Sequence, residues 1–502
     1  MRRSVPLLLP LLLAMTLPLS AMAEELVILH TNDTHNHLQP FKDRDGSEVG
    51  GAAHRAAVIA AEKKSHPNNL VLDAGDVFQG TPLYTFFKGE VDMKAMSLVG
   101  YDAGALGNHD LDDGWANLKT QLKFAQFPML CANVTTTDGD PVFLPAMTFL
   151  RGKIRVGVIG LMGAGAWNNV AVNSRKSLKF NPIVPAAKKW VAALRDRVDL
   201  LVLLTHNGLQ EDQALAKEVP GVDVIVGGHS HSTVPKPILV PNDNQNGIGG
   251  TLVLQAGSYG RFAGRLTLDV EQGKITKYDG ELIPITTQVA VTGNNAIDSM
   301  VAPYAAKVDT QMDQVIGNSP SGLSTAGKFG GETPLGSWLA DMIRESGKAE
   351  IGIINSGGIR AELSAGPVTV RKVFEILPFE NFVASMDLSG QTLIDLSAKV
   401  VERLYKQQAG TLQVSGMSFR GKDGKLVGPV LVKGKPIDPK RQYRVAIVDY
   451  LLGGGEGPYF DKHSKLTVYH ELLRDLMIAR VKTQKVLGSP DVGRIVIEPA
   501  SH

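Results

Sequence analysis

The sequence predicts an α/β fold for its first half, followed by a second domain that mixes helices and strands. Three observations carry this. Six short apolar runs, at residues 26–29, 70–72, 103–106, 156–161, 200–204 and 222–226, are too continuous for strands with one wet face and suit strands buried on both faces. Each run is followed by a stretch of helical character, as alternation around a parallel sheet requires. Past about residue 240 the texture changes: Pro241-Asn242-Asp243-Asn244-Gln245-Asn246-Gly247 is a turn-rich loop, and residues 265–270 alternate like a half-buried strand.

Length and composition set the frame around these elements. Of 502 residues, 43% are hydrophobic and 20% charged, which excludes a disordered chain and gives enough length for two or more domains. Residues 296–316 form a helix-like stretch interrupted by Pro303, and Gly317-Asn318-Ser319-Pro320-Ser321-Gly322 reads as a loop, so the domain junction is placed here. The expected order is a catalytic domain over 24–295, a linker helix and hinge over 296–322, and a second domain over 323–502. In that second domain the pattern predicts helices at 335–346 and 390–405 and strands at 351–354 and 443–448.

The N-terminus joins Met1-Arg2-Arg3 to an apolar run and the small-residue site Ala21-Met22-Ala23, the three parts of a secretory leader, with cleavage expected before Glu24. Pro6, Pro10 and Pro18 interrupt the run, and it falls short of a spanning helix. The expected product is periplasmic or secreted, without stable membrane insertion. Without Arg2 and Arg3 the basic and acidic residues balance, so no global field attracts nucleic acid. The single cysteine, Cys131, excludes a disulfide framework and any multi-cysteine metal site.

Five of the six apolar runs end in a cluster of His, Asp or Asn. Ligands gather beyond the carboxyl ends of parallel strands, so the clusters point to one convergent site. Asp33 and His35 are one residue apart, and in an extended segment both point the same way and reach one ion. Asp76 follows a glycine, which leaves its carboxylate free to bridge two ions. Asn108 offers a neutral carbonyl oxygen; His206, His229 and His231 offer imidazoles, the last two alternating on one face. Seven ligands with mixed N and O donors suit a pair of divalent ions, zinc or manganese. Such a pair clamps the attacking and leaving oxygens of an in-line displacement at phosphorus. Each motif alone is an ordinary turn or strand end; their joint occurrence in this order carries the assignment.

The order Asp-x-His, Gly-Asp, Gly-Asn-His-Asp, His and Gly-His-x-His resembles the calcineurin-like metallophosphoesterases and, over nearly the whole mature chain, the secreted 5′-nucleotidase and UDP-sugar hydrolase family. The resemblance implies a four-layer α/β/β/α sandwich with a second, α+β substrate-binding domain. It also implies that Asp33, His35 and His231 hold one metal and Asn108, His206 and His229 the other, with Asp76 between them. His109 and Asp112 fall on the family's catalytic dyad, the histidine stabilising or protonating the leaving group and the aspartate orienting it. Asn355-Ser356-Gly357-Gly358-Ile359-Arg360 and Leu377-Pro378-Phe379-Glu380-Asn381 resemble the family's substrate segments. By that resemblance Asn355, Arg360 and Asn381 contact substrate and Phe379 stacks on the base.

Two departures stand out. Only Lys328 precedes Glu332-Thr333-Pro334-Leu335-Gly336, where relatives often carry phosphate-binding arginines. Pro458 follows Gly455-Glu456-Gly457, so Tyr459 is the expected second stacking ring and Phe460 its competitor. Gly453 to Gly457 lack the Lys-Ser/Thr of a phosphate loop, the sequons at Asn32 and Asn133 suit no glycan, and His54, His66, His463, His470 and His502 have no partner spacing. The expected activity is a dimetal nucleotide phosphohydrolase, a 5′-nucleotidase extending to UDP-sugars. The alternatives are a 2′,3′-cyclic nucleotide phosphodiesterase with 3′-nucleotidase activity, a sulfur-ester hydrolase on the same scaffold, and a periplasmic nucleotide-binding protein without turnover.

Overall fold

Strands β1 (Glu24–Thr31), β2 (Asn69–Asp73), β3 (Ala103–Ala105), β4 (Met129–Leu130), β5 (Ala146–Arg151), β6 (Ile154–Met162), β7 (Leu200–His206), β8 (Val224–Val226), β9 (Ile238–Pro241), β10 (Gly250–Leu254), β11 (Phe262–Glu271) and β12 (Lys274–Pro284) form two six-stranded sheets. The computed structural model describes residues 23–43, 46–170, 175–289, 291, 295–379, 381–406, 411–452 and 458–498. Residues 1–22, where a leader is expected, Glu380 and the glycine-rich 453–457 segment lie outside the described residues. The chain divides into two units between Met300 and Val301.

In the first unit the sheet orders are β12-β11-β1-β2-β3-β4 and β9-β10-β8-β7-β6-β5. In the first sheet β1 to β4 run parallel and β11 and β12 antiparallel beside them; in the second, β6, β7, β8 and β10 run parallel and the outer β5 and β9 antiparallel. Alternation along each strand explains the continuous apolar runs. Leu200, Val202 and Leu204 of β7 face an inter-sheet core with Leu26, Ile28, Leu70, Leu72, Val156 and Val158. Leu201 and Leu203 point the other way, against Ala187 and Val191 of the helix Ile183–Leu194 and Leu215 and Ala216 of the helix Leu209–Glu218. On the outer face of the first sheet, Val58 of the helix Ala52–Ser65 packs on Ala263 and Ile285. These layers make the predicted α/β/β/α sandwich.

Register places the site. Thr31 pairs with Asp73 and Asp73 with Gly104, so β1, β2 and β3 end level. His206 closes β7 beside Met162 of β6. The loops carrying the His, Asp and Asn clusters therefore leave along common sheet edges.

In the second unit a five-stranded sheet has the order Leu412–Ser415, Ile351–Asn355, Gln442–Val448, Phe382–Ser389 and Ser464–Leu472. The helix Pro334–Ser346 starts where Thr333 Oγ1 accepts from Gly336 N at 3.2 Å. Ser389 caps the helix Gly390–Tyr405 in the same way, at 3.1 Å to Thr392 N. Two expectations need correction. The helix Ala296–Met312 runs through Pro303 without interruption and stops at Met312, and the chain division falls inside it. An interior proline loses one N–H bond and crowds the carbonyl four residues before it, a cost of ~3 kcal/mol that the packing of Ile297, Val301, Val308 and Met312 offsets here. The expected loop after residue 316 is partly strand, because Val315–Ser319 pairs with Gly366–Thr369.

Candidate active site

The carboxyl end of β7 and the loops after β1, β2, β3 and β8 bring Asp33, His35, Asp76, Asn108, His206, His229 and His231 together. Ligand atoms of Asp33, His35 and His231 lie within 4.8 Å of one another, and so do those of Asp76, His206 and His229. His35 Nε2 stands 3.1 Å from His231 Nε2, and His231 Nε2 is 3.3 Å from Asp33 Oδ1. His206 Nε2 stands 3.0 Å from Asp76 Oδ2 and 3.2 Å from Asn108 Oδ1. Asp76 Oδ2 is also 3.9 Å from His35 Nε2, so this carboxylate faces both groups.

Two backbone carbonyls set the imidazole tautomers. His35 Nδ1–H donates to Phe78 O at 3.2 Å and His206 Nδ1–H to Ala74 O at 2.8 Å, which leaves a lone pair on each Nε2. Acceptors thus converge on acceptors, at distances that only a shared proton or a cation reconciles. Asp33, His35, Asp76 and His206 are buried, and His231 is the most open, its side chain 36% accessible. The mixed N and O set fits two divalent ions, one at each group.

The electrostatics agree. Burial opposes ionisation of Asp76, yet His206 and His109 hold its carboxyl well below the ordinary value. Asp33 is likewise lowered against its burial, by the hydrogen bond from His231 and the charge of His206. Burial lowers His35 to about 3 and His229 to about 4, keeping both neutral as ligation requires. His206 is the exception: burial lowers it, but the charge of Asp76 outweighs this and lifts it to about 9. The Asp76 carboxylate 3.0 Å from His206 Nε2 that causes this lift would equally draw a cation to the same place.

The extended geometry expected for the two ligand pairs is not found. β1 ends at Thr31, and Asp33, His35, Asp76, His229 and His231 all have left-handed backbones, with φ of 50°, 46°, 55°, 79° and 54°. Side chains one residue apart therefore do not simply share a strand face; His229 and His231 go to different groups. Non-glycine residues rarely adopt this conformation, and such strain clusters at functional sites. Two glycines admit the close approach of the loops: a Cβ on Gly107 would stand 2.1 Å from Asp76 N, and one on Gly228 2.8 Å from Ala74 O.

Beside the ligands, His109 Nδ1 lies 2.7 Å from Asp112 Oδ2, and His109 N donates to Asp76 Oδ1 at 2.8 Å. Asp112 orients the ring through that bond, while burial raises the Asp112 carboxyl against the charge of His109.

In the second unit Asn355 closes the strand Ile351–Asn355 and is buried. The Arg360 guanidinium lies 5.9 Å from the Phe379 ring centroid, and Phe379 is 48% exposed. Asn381 Nδ2 donates to Asp449 Oδ1 at 3.1 Å. Phe460 is fully buried whereas Tyr459 is partly open. Lys328 Nζ donates to Ile359 O, beside Arg360.

Several supporting residues escape the sequence reading. Asn32 Nδ2 donates to Asp33 Oδ2 and to Gly257 O, both at 2.6 Å, and steadies the first ligand. Asp110 accepts N–H bonds from Val77 at 2.9 Å, Phe78 at 3.1 Å and Gly107 at 2.8 Å, lashing the Asp76 loop to the Asn108 loop. The Tyr259 ring sits 5.7 Å from His35 and 5.5 Å from His231. Asn32 and Asp110 adjoin ligands inside their motifs, which was the available signal; nothing local marks Tyr259. The sequon residues Asn32 and Asn133 are buried, as their engaged amides require.

Comparison with known proteins adds to this geometry. Residues 26–233 match the family Calcineurin-like phosphoesterase and residues 312–463 match the family 5′-nucleotidase, C-terminal domain. The chain is 30% identical over 485 residues to Protein UshA of Salmonella pullorum, covering 86% of each chain. It is 30% identical over 477 residues to a 5′-nucleotidase of Vibrio cholerae, covering 86% of this chain and 85% of that one. The crystal structure of a 5′-nucleotidase precursor from Thermus thermophilus superposes with a TM-score of 0.64 at 31% identity, over 95% of this chain and 100% of the other.

Proposed function

Because the chain belongs to the 5′-nucleotidase family, in which a calcineurin-like phosphoesterase domain precedes a 5′-nucleotidase C-terminal domain, we propose that it cleaves nucleoside 5′-monophosphates to nucleoside and phosphate. It is a metal-dependent phosphoester hydrolase. The observation that carries this is the convergence of buried acceptor atoms in two groups with Asp76 facing both, beside the His109–Asp112 pair.

The proposal assigns Asp33, His35 and His231 to one ion, Asn108, His206 and His229 to the other, and Asp76 to both, with zinc or manganese as the native metals. When bound, the ions supply charge neutralisation at the phosphoryl oxygens and acidify the attacking water. His109, held by Asp112, meets the negative charge that develops on the leaving oxygen and delivers the proton it needs. Arg360 pairs with the phosphate through its planar fork, Asn355 and Asn381 hold polar groups of the substrate, and Phe379 and Tyr459 take the base. The burial of Phe460 supports Tyr459 as the second ring. Residues 296–322 link the metallophosphoesterase and substrate domains. The leader pattern at residues 1–23 supports export to the periplasm or medium, and among the described residues no helix is long and apolar enough to cross a membrane.

Phosphate release from nucleoside monophosphates, 2′,3′-cyclic nucleotides and UDP-glucose, with Mn²⁺, Zn²⁺ or Co²⁺ after chelator treatment, tests the proposal. Metal-restored turnover with the 5′-monophosphates leading is the expected result. Binding without turnover would refute it.

A further inference from the structure

His231 lacks the anchor that His35 and His206 have. Those two give Nδ1–H to a backbone carbonyl, whereas among the described residues no group is hydrogen-bonded to His231 Nδ1. A ligating imidazole is ordinarily held through its second nitrogen. What meets the His231 ring instead is Tyr259, with centroids 5.5 Å apart at 76°. The same tyrosine ring lies 5.7 Å from His35 at 55°. The third member of this group is tied by backbone, since Tyr259 N donates to Asp33 O at 2.7 Å. Tyr259 is itself clamped. His37 packs on its ring with centroids 4.5 Å apart at 36°, and the Arg261 guanidinium carbon lies 5.0 Å from its centroid. Two bonds of 3.1 Å to Asp43 fix the Arg261 fork in turn. Tyr259 has φ of 61° and stands between Gly257 and Gly260, at 73° and 67°. Glycine would make this turn without strain, so the ring is kept at a cost, as happens where a side chain serves a site. His231 and Tyr259 both border a cavity of about 420 Å³, so packing does not otherwise enclose the imidazole.

We propose that Tyr259 is a positioning residue for one of the two ions: its clamped ring holds the His231 and His35 imidazoles at the angle that ligation beside Asp33 requires, in place of the hydrogen bond that His231 lacks. The inference rests on the assignment of Asp33, His35 and His231 to a single ion. Ring orientations that the tyrosine excludes are ones the ion need not freeze out, so losing the ring weakens binding of that ion. The other group has its own support, because His206 is anchored on Ala74 O and packs edge-on against His229 with centroids 5.1 Å apart. Its ion should be spared.

The test titrates metal-free wild-type protein and three variants with Co²⁺ against a competing chelator, without substrate, counting bound metal and recording the visible spectrum of the bound Co²⁺. Wild type should take two ions. Tyr259→Gly removes the ring and relieves the left-handed backbone, so strain does not threaten its fold. In it one ion should bind about 10–100-fold more weakly, the loss typical of a disturbed ligand support, with an altered spectrum, and the other within about twofold of wild type. Tyr259→Phe keeps the ring and should match wild type within about twofold. Tyr259→Leu keeps bulk without a flat ring and should weaken the same ion; it decides the matter if the glycine variant does not fold. Wild-type affinity for both ions in Tyr259→Gly or Tyr259→Leu, equal weakening of both ions, or a loss in Tyr259→Phe as large as in Tyr259→Gly would overturn the inference. Wild-type protein that takes fewer than two ions would instead overturn the two-ion assignment on which it rests.

Discussion

Truncating Phe379 gives a quantitative handle on the proposed recognition of the base. A phenylalanine side chain offers ~200 Å², and this one is 48% exposed, which leaves about 100 Å² open to a ligand. At ~25 cal/mol per Å² full coverage is worth ~2.5 kcal/mol, and covering one ring face about half of that. Those limits fall within the ~1–3 kcal/mol found for a base stacked on an aromatic ring. Phe379→Ala should therefore lower kcat/KM on a nucleoside monophosphate by roughly eight- to seventyfold. The Arg360 guanidinium lies 5.9 Å from the same ring centroid, so truncation also loosens a proposed phosphate contact. That second loss is common to every phosphate ester. The assay accordingly measures kcat/KM on AMP and on p-nitrophenyl phosphate for wild type and variant and takes the ratio of the two losses. A ratio near one would refute base stacking at Phe379 and make the residue an exposed packing element.

Other predictions follow from the same geometry. Asp76 faces both ligand groups, so Asp76→Asn should lose more metal and more turnover than His231→Ala, as read by metal analysis of purified protein; two tightly held ions in the asparagine variant would argue against the shared carboxylate. His109→Ala should retain its metals and lose ~10²–10⁴ in kcat, whereas Arg360→Ala should chiefly raise KM. An unchanged kcat in the histidine variant removes it from the proton transfer. Burial raises the Asp92 carboxyl from 3.8 to about 7. Its folded value lies above its unfolded one, so the fold binds the proton more tightly and this group's contribution to stability declines as pH rises from about 4 to 7. Asp92→Asn should thus gain stability over wild type at pH 8, by at most ~4 kcal/mol, with the gain fading toward pH 4.5 in thermal melts. A gain of equal size at both pH values would mean that ionisation is not its source.

The parts of this protein that were legible in its sequence are those fixed by composition along a strand. Runs such as 200–204 could only be buried on both sides, and the polar clusters behind them could only emerge at a strand end. The conformation of those clusters was not legible. Asp33 and His35 were read as neighbours on an extended face, whereas both adopt left-handed backbone once β1 has ended. Tertiary bonds impose that conformation: Asp33 N reaches Gly75 O at 2.9 Å and His35 N reaches Asp76 O at 3.1 Å, partners more than forty residues away in sequence. Asp110 escaped for a related reason: it acts by accepting the backbone N–H groups of Val77, Phe78 and Gly107, a role open to any buried carboxylate. Pro303 misled in the opposite direction, since a local rule about proline yields when the surrounding helix is held by packing.

The contact between the Gly107 loop and Asp76 bears on how mutational tolerance is interpreted. With 2.1 Å between a hypothetical Cβ on Gly107 and the nitrogen of Asp76, even alanine there must push a ligand loop out of register, and Gly228 stands in the same relation to Ala74. In a saturation library selected for growth on a nucleotide as sole phosphate source, both glycines would score as intolerant as the ligands themselves. A map of the active site drawn from such scores alone would count as chemistry what is only clearance, and would be larger than the set of atoms that touch the phosphate.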